Sequence, residues 1–217
     1  MPVNFEGYVP LTMQAASART RLPPEQRRAQ LLRCAIAAFA EHGIARATHA
    51  HIAERAGVSV PAVHSYFRTR EDLVAETLGE VETYLMAIVD DVEIKKMTAR
   101  DALSRMVLDF DKAAQEFPEV IKVWLDWSTG FRADVWPRYL TMQDRLLETV
   151  RRVLVRGQRA GELSPSIDAL SAARLYVGGG HTVALLRFAG GAPADIDRLI
   201  NHLIRSIIGI RFEPDLV

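Results

Sequence analysis

Residues 49–66 read HAHIAERAGVSVPAVHSY, two short helical patterns separated by a glycine. A helix-turn-helix needs two short helices that cross steeply over a tight turn. Gly57 suits the positive φ of such a turn, and Ala53 is small where the second helix must come close. Apolar residues recur at the spacing of a packed helix pair, at Ile52, Ala56, Val58, Val63 and Tyr66. The stretch predicts a helix-turn-helix; the alternative is a plain helical hairpin in an all-α core.

The sequence also indicates where these two helices begin. Thr48 and Ser59 are residue types that cap helix N-termini, because their side-chain oxygen accepts a backbone N–H bond. Proline is tolerated only in the first turn of a helix, so Pro61 independently places the second start at 59–60. We therefore expect helices over about 49–56 and 60–66.

If the pair is a DNA-binding motif, its second helix lies in the major groove with its N-terminal side chains on base edges. The outward residues would be Val60, Ala62, His64 and Ser65. These side chains are short, so we expect apolar contacts with thymine methyl groups and a few hydrogen bonds to bases. Much of the affinity would then come from phosphate contacts.

The charge distribution supports a polyanion partner for this part of the chain. The 217 residues have a formal net charge of zero, but residues 19–70 carry nine arginines against three glutamates. The remaining 147 residues from 71 onward hold 18 basic and 23 acidic side chains. A basic N-terminal third on a mildly acidic body indicates a head that binds a polyanion and a body with another role. Chance clustering is the alternative.

The rest of the chain also follows helical periodicity, with no alternating strand patterns. Pro23 and Pro24 open a first helix that ends at Gly43, and Thr69 begins a long one with a sequence like a capping box. Further starts fall at Thr98, Pro118 and Pro137. Two last helices cover about 166–189 and about 193–210. The prediction is an all-α protein of nine helices: a flexible tail over 1–18, a helix-turn-helix domain over 19–70 and a helical ligand-binding and dimerisation domain over 71–217.

The predicted body has three features of note. All three tryptophans lie within 13 residues, and Trp124 and Trp127 share a helical face, which favours core packing but also suits an aromatic-lined cavity. The run Gly178–Gly180 inside a helix costs on the order of 1 kcal/mol per glycine, so close helix approach in a dimer, or room for a ligand, should offset it. The last helix carries a wide apolar stripe. Two such helices per subunit would form a four-helix dimer interface; the alternative is burial within one subunit.

Several other classes of protein are disfavoured. His49 and His51 lie two residues apart, on different sides of a helix, and no second metal-binding pair exists. Cys34 is the single cysteine, which fits a reducing compartment and inert packing. No local catalytic motif, signal sequence or membrane-length apolar stretch is present. We therefore expect a cytoplasmic protein that is not an enzyme and needs no metal or cofactor.

Residues 49–74 resemble the DNA-binding domain of the TetR family of bacterial transcription regulators. The chain is more similar still to the LuxR/HapR/SmcR group, the quorum-sensing master regulators of vibrios. The shared strings are RTRL at 19–22, FA at 39–40, GI at 43–44, IAE at 52–54, VSV at 58–60, YF at 66–67 and TREDLV at 69–74. The match continues in the body, with KVWLDWS at 122–128 and DVWP at 134–137.

The resemblance implies an all-α homodimer, joined through the last two helices, whose heads sit about one helical turn apart on a pseudo-palindromic operator. Arg19 and Arg21 match an arm that enters the minor groove; the alternative is a solvated tail. Phosphate contacts are implied at Thr48, Tyr66 and Arg70. The full set of expected DNA-binding residues is Arg19, Arg21, Thr48, Ser59, Val60, Pro61, Ala62, His64, Ser65, Tyr66 and Arg70.

Related proteins carry a cavity in the body of each subunit, which implies a small apolar or aromatic effector. The matching positions, together with Trp127, are Tyr84, Ile88, Phe110, Trp124, Gln143, Leu147, Val150 and Gly180. Gln143 would be the polar anchor of an otherwise apolar site. Gly180 stands where the group carries a cysteine, which excludes thiol chemistry there.

The recognition helix departs from the group: Pro61, Ala62, His64 and Ser65 stand where it carries Ala, Thr, Phe and Asn. The scaffold therefore matches while the base-reading face does not, so the resemblance implies neither a shared operator nor more than an analogy to quorum sensing. The expected function is a TetR-type transcription regulator, with repression as the family default although the group also activates. The competing expectation is an architectural DNA-binding protein whose body docks a protein partner and holds no small molecule.

Overall fold

In the computed structural model, residues 22–90, 96–131 and 134–209 are described, and these residues form nine α-helices and no strand. The all-α prediction is confirmed. The predicted tail over 1–18 and the arginines at 19 and 21 lie outside the described residues. The helices are α1 (Pro24–His42), α2 (His49–Ala56), α3 (Val60–His64), α4 (Arg70–Val89), α5 (Ala99–Glu116), α6 (Pro118–Thr129), α7 (Trp136–Arg159), α8 (Ala169–Phe188) and α9 (Pro193–Gly209).

Two of the helix starts predicted from the sequence, at Thr69 and Thr98, are present as side-chain caps. Thr69 N–H donates to Asp72 Oδ2 at 3.1 Å, and Asp72 N–H donates to Thr69 Oγ1 at 3.0 Å. Asp101 N–H donates to Thr98 Oγ1 at 3.1 Å, which caps α5. These bonds satisfy amide groups that have no partner within the first helical turn. The predicted capping box at Thr69 is therefore confirmed.

The chain divides into two compact units. The first comprises the described residues of Met1–Tyr84 and Glu116–Pro137, so it contains α1, α2, α3 and α6. Helix α1 packs against both α2 and α6, around a core that includes Phe39, Ile52, Phe67 and Trp127. The domain boundary predicted at residue 70 stays a prediction. The compact unit extends past it because α6 packs on α1 and α4 continues to residue 84 within the same unit.

The second unit comprises the described residues of Leu85–Gln115 and Arg138–Val217. Its α8 and α9 pack together. A Cβ placed on Gly179 would lie 2.5 Å from Leu203 Cδ1, so α9 approaches α8 closely there and a larger residue would displace the Leu203 side chain. A Cβ on Gly178 or Gly180 would meet nothing within 4 Å. A close approach of the kind expected from the glycine run is thus found within the subunit, at Gly179.

A buried ion pair also holds the second unit together. Arg187 of α8 donates three hydrogen bonds to Asp111 of α5, at 2.6 to 3.0 Å. Gln115 Nε2 donates to the same carboxylate at 3.0 Å. Tyr176 donates its hydroxyl to the Leu103 carbonyl at 2.6 Å, and burial raises the pKa of that hydroxyl. Polar groups thus tie α8 to α5 inside this unit.

The apolar stripe of α9 is partly covered within the subunit. Four of its isoleucines, Ile196, Ile200, Ile204 and Ile207, are at most 5% exposed, whereas Leu199, Leu203 and Ile208 are half-buried. Burial inside one subunit, the alternative stated for this stripe, accounts for these four side chains. None of the helices in the described part of the chain is long and apolar enough to cross a membrane.

Candidate nucleic-acid interface

Helices α2 and α3 are joined by the tight turn that the sequence predicts. Gly57 has φ +65° and ψ +34°, the left-handed conformation, and it directly follows α2. Val58 N–H donates to the Ala53 carbonyl at 3.0 Å, which closes the turn over the last residues of α2. Ile52 and Ala53 of α2 and Val63 of α3 are buried. The predicted helix-turn-helix is therefore present in the first unit.

Both predicted N-caps are formed. The Thr48 hydroxyl oxygen accepts from His51 N–H at 3.4 Å, and His51 Nδ1 accepts from Thr48 N–H at 3.3 Å, which completes a capping box. The Ser59 hydroxyl oxygen accepts from Ala62 N–H at 3.4 Å. Thr48 and Ser59 are exposed, so their capping role leaves both at the surface where DNA would lie.

Helix α3 exposes the side chains that the sequence assigns to base contact. Val60, Pro61, His64 and Ser65 are exposed, and Ala62 is half-buried. Val63 and the following Phe67 are fully buried and hold the helix against the unit. The helix ends at His64, two residues before the predicted end, and the Ser65 and Tyr66 amide groups bond back to the Pro61 and Val63 carbonyls at 3.1 and 3.0 Å.

A pair of stacked histidines underlies this exposed face. The rings of His49 and His64 have centroids 4.0 Å apart and planes 10° apart. His49 is buried, and its Nε2 lies 3.0 Å from the Phe67 carbonyl oxygen. Sequence reasoning set His49 aside as a weak metal candidate. Its role as the support of His64 has no signal in residue spacing, because the stack joins α2 to the end of α3.

Arg28 is a second residue that the sequence did not single out. Its guanidinium lies 5.2 Å from the centre of the Phe67 ring and donates to the Tyr66 carbonyl at 3.5 Å. It also forms an ion pair with Glu76. A cation over an aromatic face is favourable, so Arg28 ties α1 to the segment after α3.

Arg70, expected to contact phosphate, also has an internal role. Its Nη2 donates to the carbonyl oxygens of Ile44 and Ala45, at 2.5 and 2.8 Å. Asp126 of α6 accepts the Ile44 N–H bond through Oδ2 at 2.8 Å. The loop between α1 and α2 is therefore held from both α4 and α6. Part of the basic charge of the head is also neutralised, since Arg55 pairs with Glu41 as Arg28 does with Glu76.

A concavity of about 500 Å³ lies between the start of α1 and α3. Leu22, where the described chain begins, is part of its wall together with Arg27, Val58 and Tyr66. Leu22 therefore lies beside α3. Arg19 and Arg21 precede that point by three residues and one residue.

Comparison with known proteins agrees with this geometry. The family model described as "Bacterial regulatory proteins, tetR family" matches residues 31–77. The HTH-type transcriptional regulator LuxR of Vibrio harveyi is 30% identical over 187 residues, covering 86% of this chain and 91% of that protein. The chain belongs to the TetR family. It is a TetR-family helix-turn-helix transcriptional regulator.

Solved structures of low identity share the fold. A TetR-family regulator from Agrobacterium tumefaciens has a TM-score of 0.76 at 18% identity, covering 86% of this chain and all of that one. The regulator FadR from Bacillus subtilis, in complex with stearoyl-CoA, has a TM-score of 0.68 at 19% identity, covering 84% and 98%. The relatives that match are named as transcription regulators, which favours a regulator over an enzyme.

The residues expected to line an effector site in this TetR-family chain are divided between the two units. In the first, Tyr84, Trp124 and Trp127 are at most 7% exposed, and Trp127 Nε1 donates to the Val135 carbonyl at 3.0 Å. In the second, Ile88, Leu147 and Val150 are buried, while Phe110, Gln143 and Gly180 are half-buried.

The cysteine and histidine side chains that could indicate catalytic or metal-binding chemistry have structural roles. Cys34 is buried, and burial raises the pKa of its thiol, which disfavours a reactive thiolate. His181 Nδ1 donates to the Val177 carbonyl at 3.1 Å, and burial lowers the pKa of its imidazole. Among the described residues, no group of three or more His, Cys, Asp or Glu could hold a metal ion.

Proposed function

We propose that this regulator binds a pseudo-palindromic operator as a homodimer, with α3 in the major groove, and that a small apolar or aromatic effector modulates the binding. The observation that carries the proposal is the exposed face of α3. Its base-reading candidates point outward over a buried Val63 and Phe67, on a helix whose start is capped by Ser59. Repression is the expected outcome, following the family. A quorum-sensing role stays an analogy.

Phosphate contacts would flank this helix. Thr48 lies at the start of α2, Tyr66 follows α3, and Arg70 begins α4, so the three side chains bracket the recognition helix along the chain. Arg70 can serve both roles, since its internal bonds use a single nitrogen, Nη2. Arg19 and Arg21 would reach the minor groove from the N-terminal side. This arm is a proposal drawn from the family resemblance and from the position of Leu22.

The arm is tested by the salt dependence of DNA binding. Each phosphate neutralised contributes about 0.9 to the slope of log K against log salt. Replacing both Arg19 and Arg21 by alanine should flatten that slope by up to about two units and weaken binding to all duplexes. Ser65→Ala is the matched control, because it should leave the slope unchanged. An unaltered slope in the double variant would refute the arm.

The dimer face is proposed on the exposed side of α8. Leu175 and Leu185 are 59% and 58% exposed and flank Gly178, whose missing side chain would let a second helix approach. Leu175→Glu with Leu185→Glu should shift the protein to a monomer in analytical ultracentrifugation. Leu108→Glu is the matched control, since Leu108 of α5 is 50% exposed in the same unit; an unchanged dimer in the α8 variant would place the interface elsewhere.

The effector proposal rests on the resemblance and on FadR, whose structure holds stearoyl-CoA. A competing function is supported by the tryptophans themselves. Trp127 is fully buried, its N–H bonds to a backbone carbonyl, and Trp124 is 2% exposed, which suits a packed core. In that case the body would dock a protein partner, and the chain would be an architectural or partner-controlled DNA-binding protein.

The first test is selection of bound duplexes from a random pool at about 150 mM salt, where specific and non-specific binding separate. Enrichment of a pseudo-palindrome supports a sequence-specific dimer. Repeating the titration of the selected duplex in the presence of stearoyl-CoA, the ligand in the FadR structure, tests the effector. Trp124→Phe should change the response of DNA binding to the ligand more than it changes the affinity for DNA without ligand. If the substitution only impairs folding, Trp124 belongs to the core. No enrichment, with binding lost as salt rises, would favour the architectural function.

A further inference from the structure

The two polar side chains at the exposed end of the recognition helix both direct a hydrogen toward the protein. His64 Nδ1 lies 3.4 Å from the Arg68 carbonyl oxygen, and the Ser65 hydroxyl donates to the Ala62 carbonyl at 2.7 Å. A carbonyl oxygen can only accept, so the His64 nitrogen that faces it carries the hydrogen. In a neutral imidazole the other nitrogen, Nε2, is then a hydrogen-bond acceptor.

The end of α3 therefore presents acceptors to the outside, at His64 Nε2 and at the lone pairs of Ser65 Oγ. In the major groove, hydrogen-bond donors belong to two bases only: the N6 amino group of adenine and the N4 amino group of cytosine. The edge of guanine presents N7 and O6, which are acceptors and cannot bond to these atoms. We infer that His64, supported by Ser65, reads an exocyclic amino group of adenine or cytosine in each half-site. The inference rests on the proposed operator binding.

His49 is the positioning residue of this contact. Its ring lies flat against that of His64, with centroids 4.0 Å apart, and its own Nε2 is held by the Phe67 carbonyl at 3.0 Å. His49 is 9% exposed and is therefore held in place by the surrounding protein, while His64 lies on its solvent side and is exposed. The stack sets the plane of the His64 ring, and with it the direction in which Nε2 accepts. A base-reading side chain on a short helix gains discrimination when its rotamer is restrained in this way.

The competing assignment makes His64 a donor, to guanine or to a phosphate. That role requires a hydrogen on Nε2, and therefore either a protonated ring or the opposite tautomer, which would place two acceptors against each other at Arg68. His64→Lys is informative because an ammonium group only donates. This substitution should move the preference at the contacted position toward guanine, the base that lysine reads through O6 and N7.

The test is duplex selection from a random pool at pH 8, above the range in which free imidazole titrates. In the selected duplex we expect one base pair in each half-site at which removal of the exocyclic amino group, with purine in place of adenine or 2-pyrimidinone in place of cytosine, lowers the affinity of the wild-type chain about tenfold. His64→Ala should lower discrimination at that position about tenfold and leave the other positions unchanged, and Ser65→Ala should weaken the same or the adjacent position. An affinity that does not change when that amino group is removed, or an unchanged motif in both variants, would overturn the inference.

The positioning role is read from two substitutions of His49. His49→Phe keeps a flat ring under His64 and should keep the base preference. His49→Ala removes the ring and should broaden the preference at that one position, with equal affinity for random DNA. Thermal unfolding shows whether both variants fold. If His49→Ala does not fold, His49→Leu takes its place, because leucine also lacks a flat ring. Loss of the base preference in folded His49→Leu then supports the positioning role of His49. Failure of the wild-type chain to enrich any motif would refute operator binding itself, not this contact alone.

Discussion

Asp126 of α6 and Ile44 of the α1–α2 loop are joined by a hydrogen bond of 2.8 Å, from the Ile44 amide to Asp126 Oδ2. The carbonyl of the same residue accepts from Arg70 at 2.5 Å, so one peptide segment is held from two helices. This loop leads directly into Thr48 and α2. The position of the helix-turn-helix within its unit therefore depends on a carboxylate that lies 82 residues away in the chain.

Replacing Asp126 with alanine should lower operator affinity more than it lowers stability. The substitution leaves the Ile44 amide without its carboxylate acceptor, at a cost of about 1 kcal/mol in the free energy of unfolding, because the carboxylate is at the surface and water can replace it. The loop would then be held by Arg70 alone, and α2 and α3 would lose a fixed support. Urea unfolding and fluorescence anisotropy with the selected duplex measure the two effects.

Asp126→Asn is the matched control for that prediction. An asparagine carbonyl oxygen can accept the same N–H bond without the charge, so this variant should retain most of the affinity. If asparagine and alanine have equal effects, the negative charge and not the hydrogen bond is responsible. If neither changes DNA affinity, Asp126 has no part in positioning the head.

Gly57→Ala should destabilise the head through the backbone alone. Gly57 has φ +65°, and a Cβ there would meet nothing within 4 Å, so the cost is the left-handed conformation itself, about 1–2 kcal/mol. Gly57→Asn should cost less, since asparagine tolerates this conformation. Urea unfolding of the two variants at one protein concentration provides the comparison. Equal losses in the free energy of unfolding for both variants would show that the left-handed φ of residue 57 is not the cause, and that the packing of the turn as a whole determines the effect.

Much of the fold follows from local signals in the sequence. Thr69 with Asp72, Ser59 and Thr48 begin helices because their side chains bond to nearby amide groups, and such bonds depend only on a few consecutive residues. Helix existence and the turn at Gly57 are therefore predictable. The compact units are not, because the packing of α6 on α1 joins residues about 80 positions apart and has no local signature.

The candidate site was predictable in part for the same reason. The exposed face of α3 follows from the helix start at Ser59 and the burial of Val63. The stack of His49 on His64 and the bonds of Arg70 to the α1–α2 loop depend on how separate helices meet. The glycine run shows the limit most clearly, since its cost in helix propensity was predictable but Leu203, the residue that packs against Gly179, was not.

Asp111 and Arg187 should show strong energetic coupling. The pair is largely buried, with side chains 10% and 19% exposed, and Arg187 binds both carboxylate oxygens. Asp111→Ala should lower the free energy of unfolding by about 3 kcal/mol, because it leaves a buried guanidinium without its partner. The double variant with Arg187→Ala should lose less than the sum of the single losses, and a double-mutant cycle by urea unfolding measures the difference. Arg151→Ala, which breaks the exposed pair with Glu148, should cause little change; additive losses at Asp111 and Arg187 would contradict the coupling.

Gly179→Ala and Gly180→Ala should have opposite effects on stability, although they make the same chemical change one residue apart. At 179 the new methyl group would lie 2.5 and 2.6 Å from the two Leu203 methyl carbons, so α9 must shift or Leu203 must change rotamer. Overpacking of this kind costs about 1–3 kcal/mol. At 180 nothing lies within 4 Å, and alanine should gain up to about 1 kcal/mol from its helix propensity. Gly179→Ala combined with Leu203→Ala should recover most of the loss, because the second substitution removes the atoms that collide. Absence of that recovery in urea unfolding would mean that a partner other than Leu203 requires the glycine.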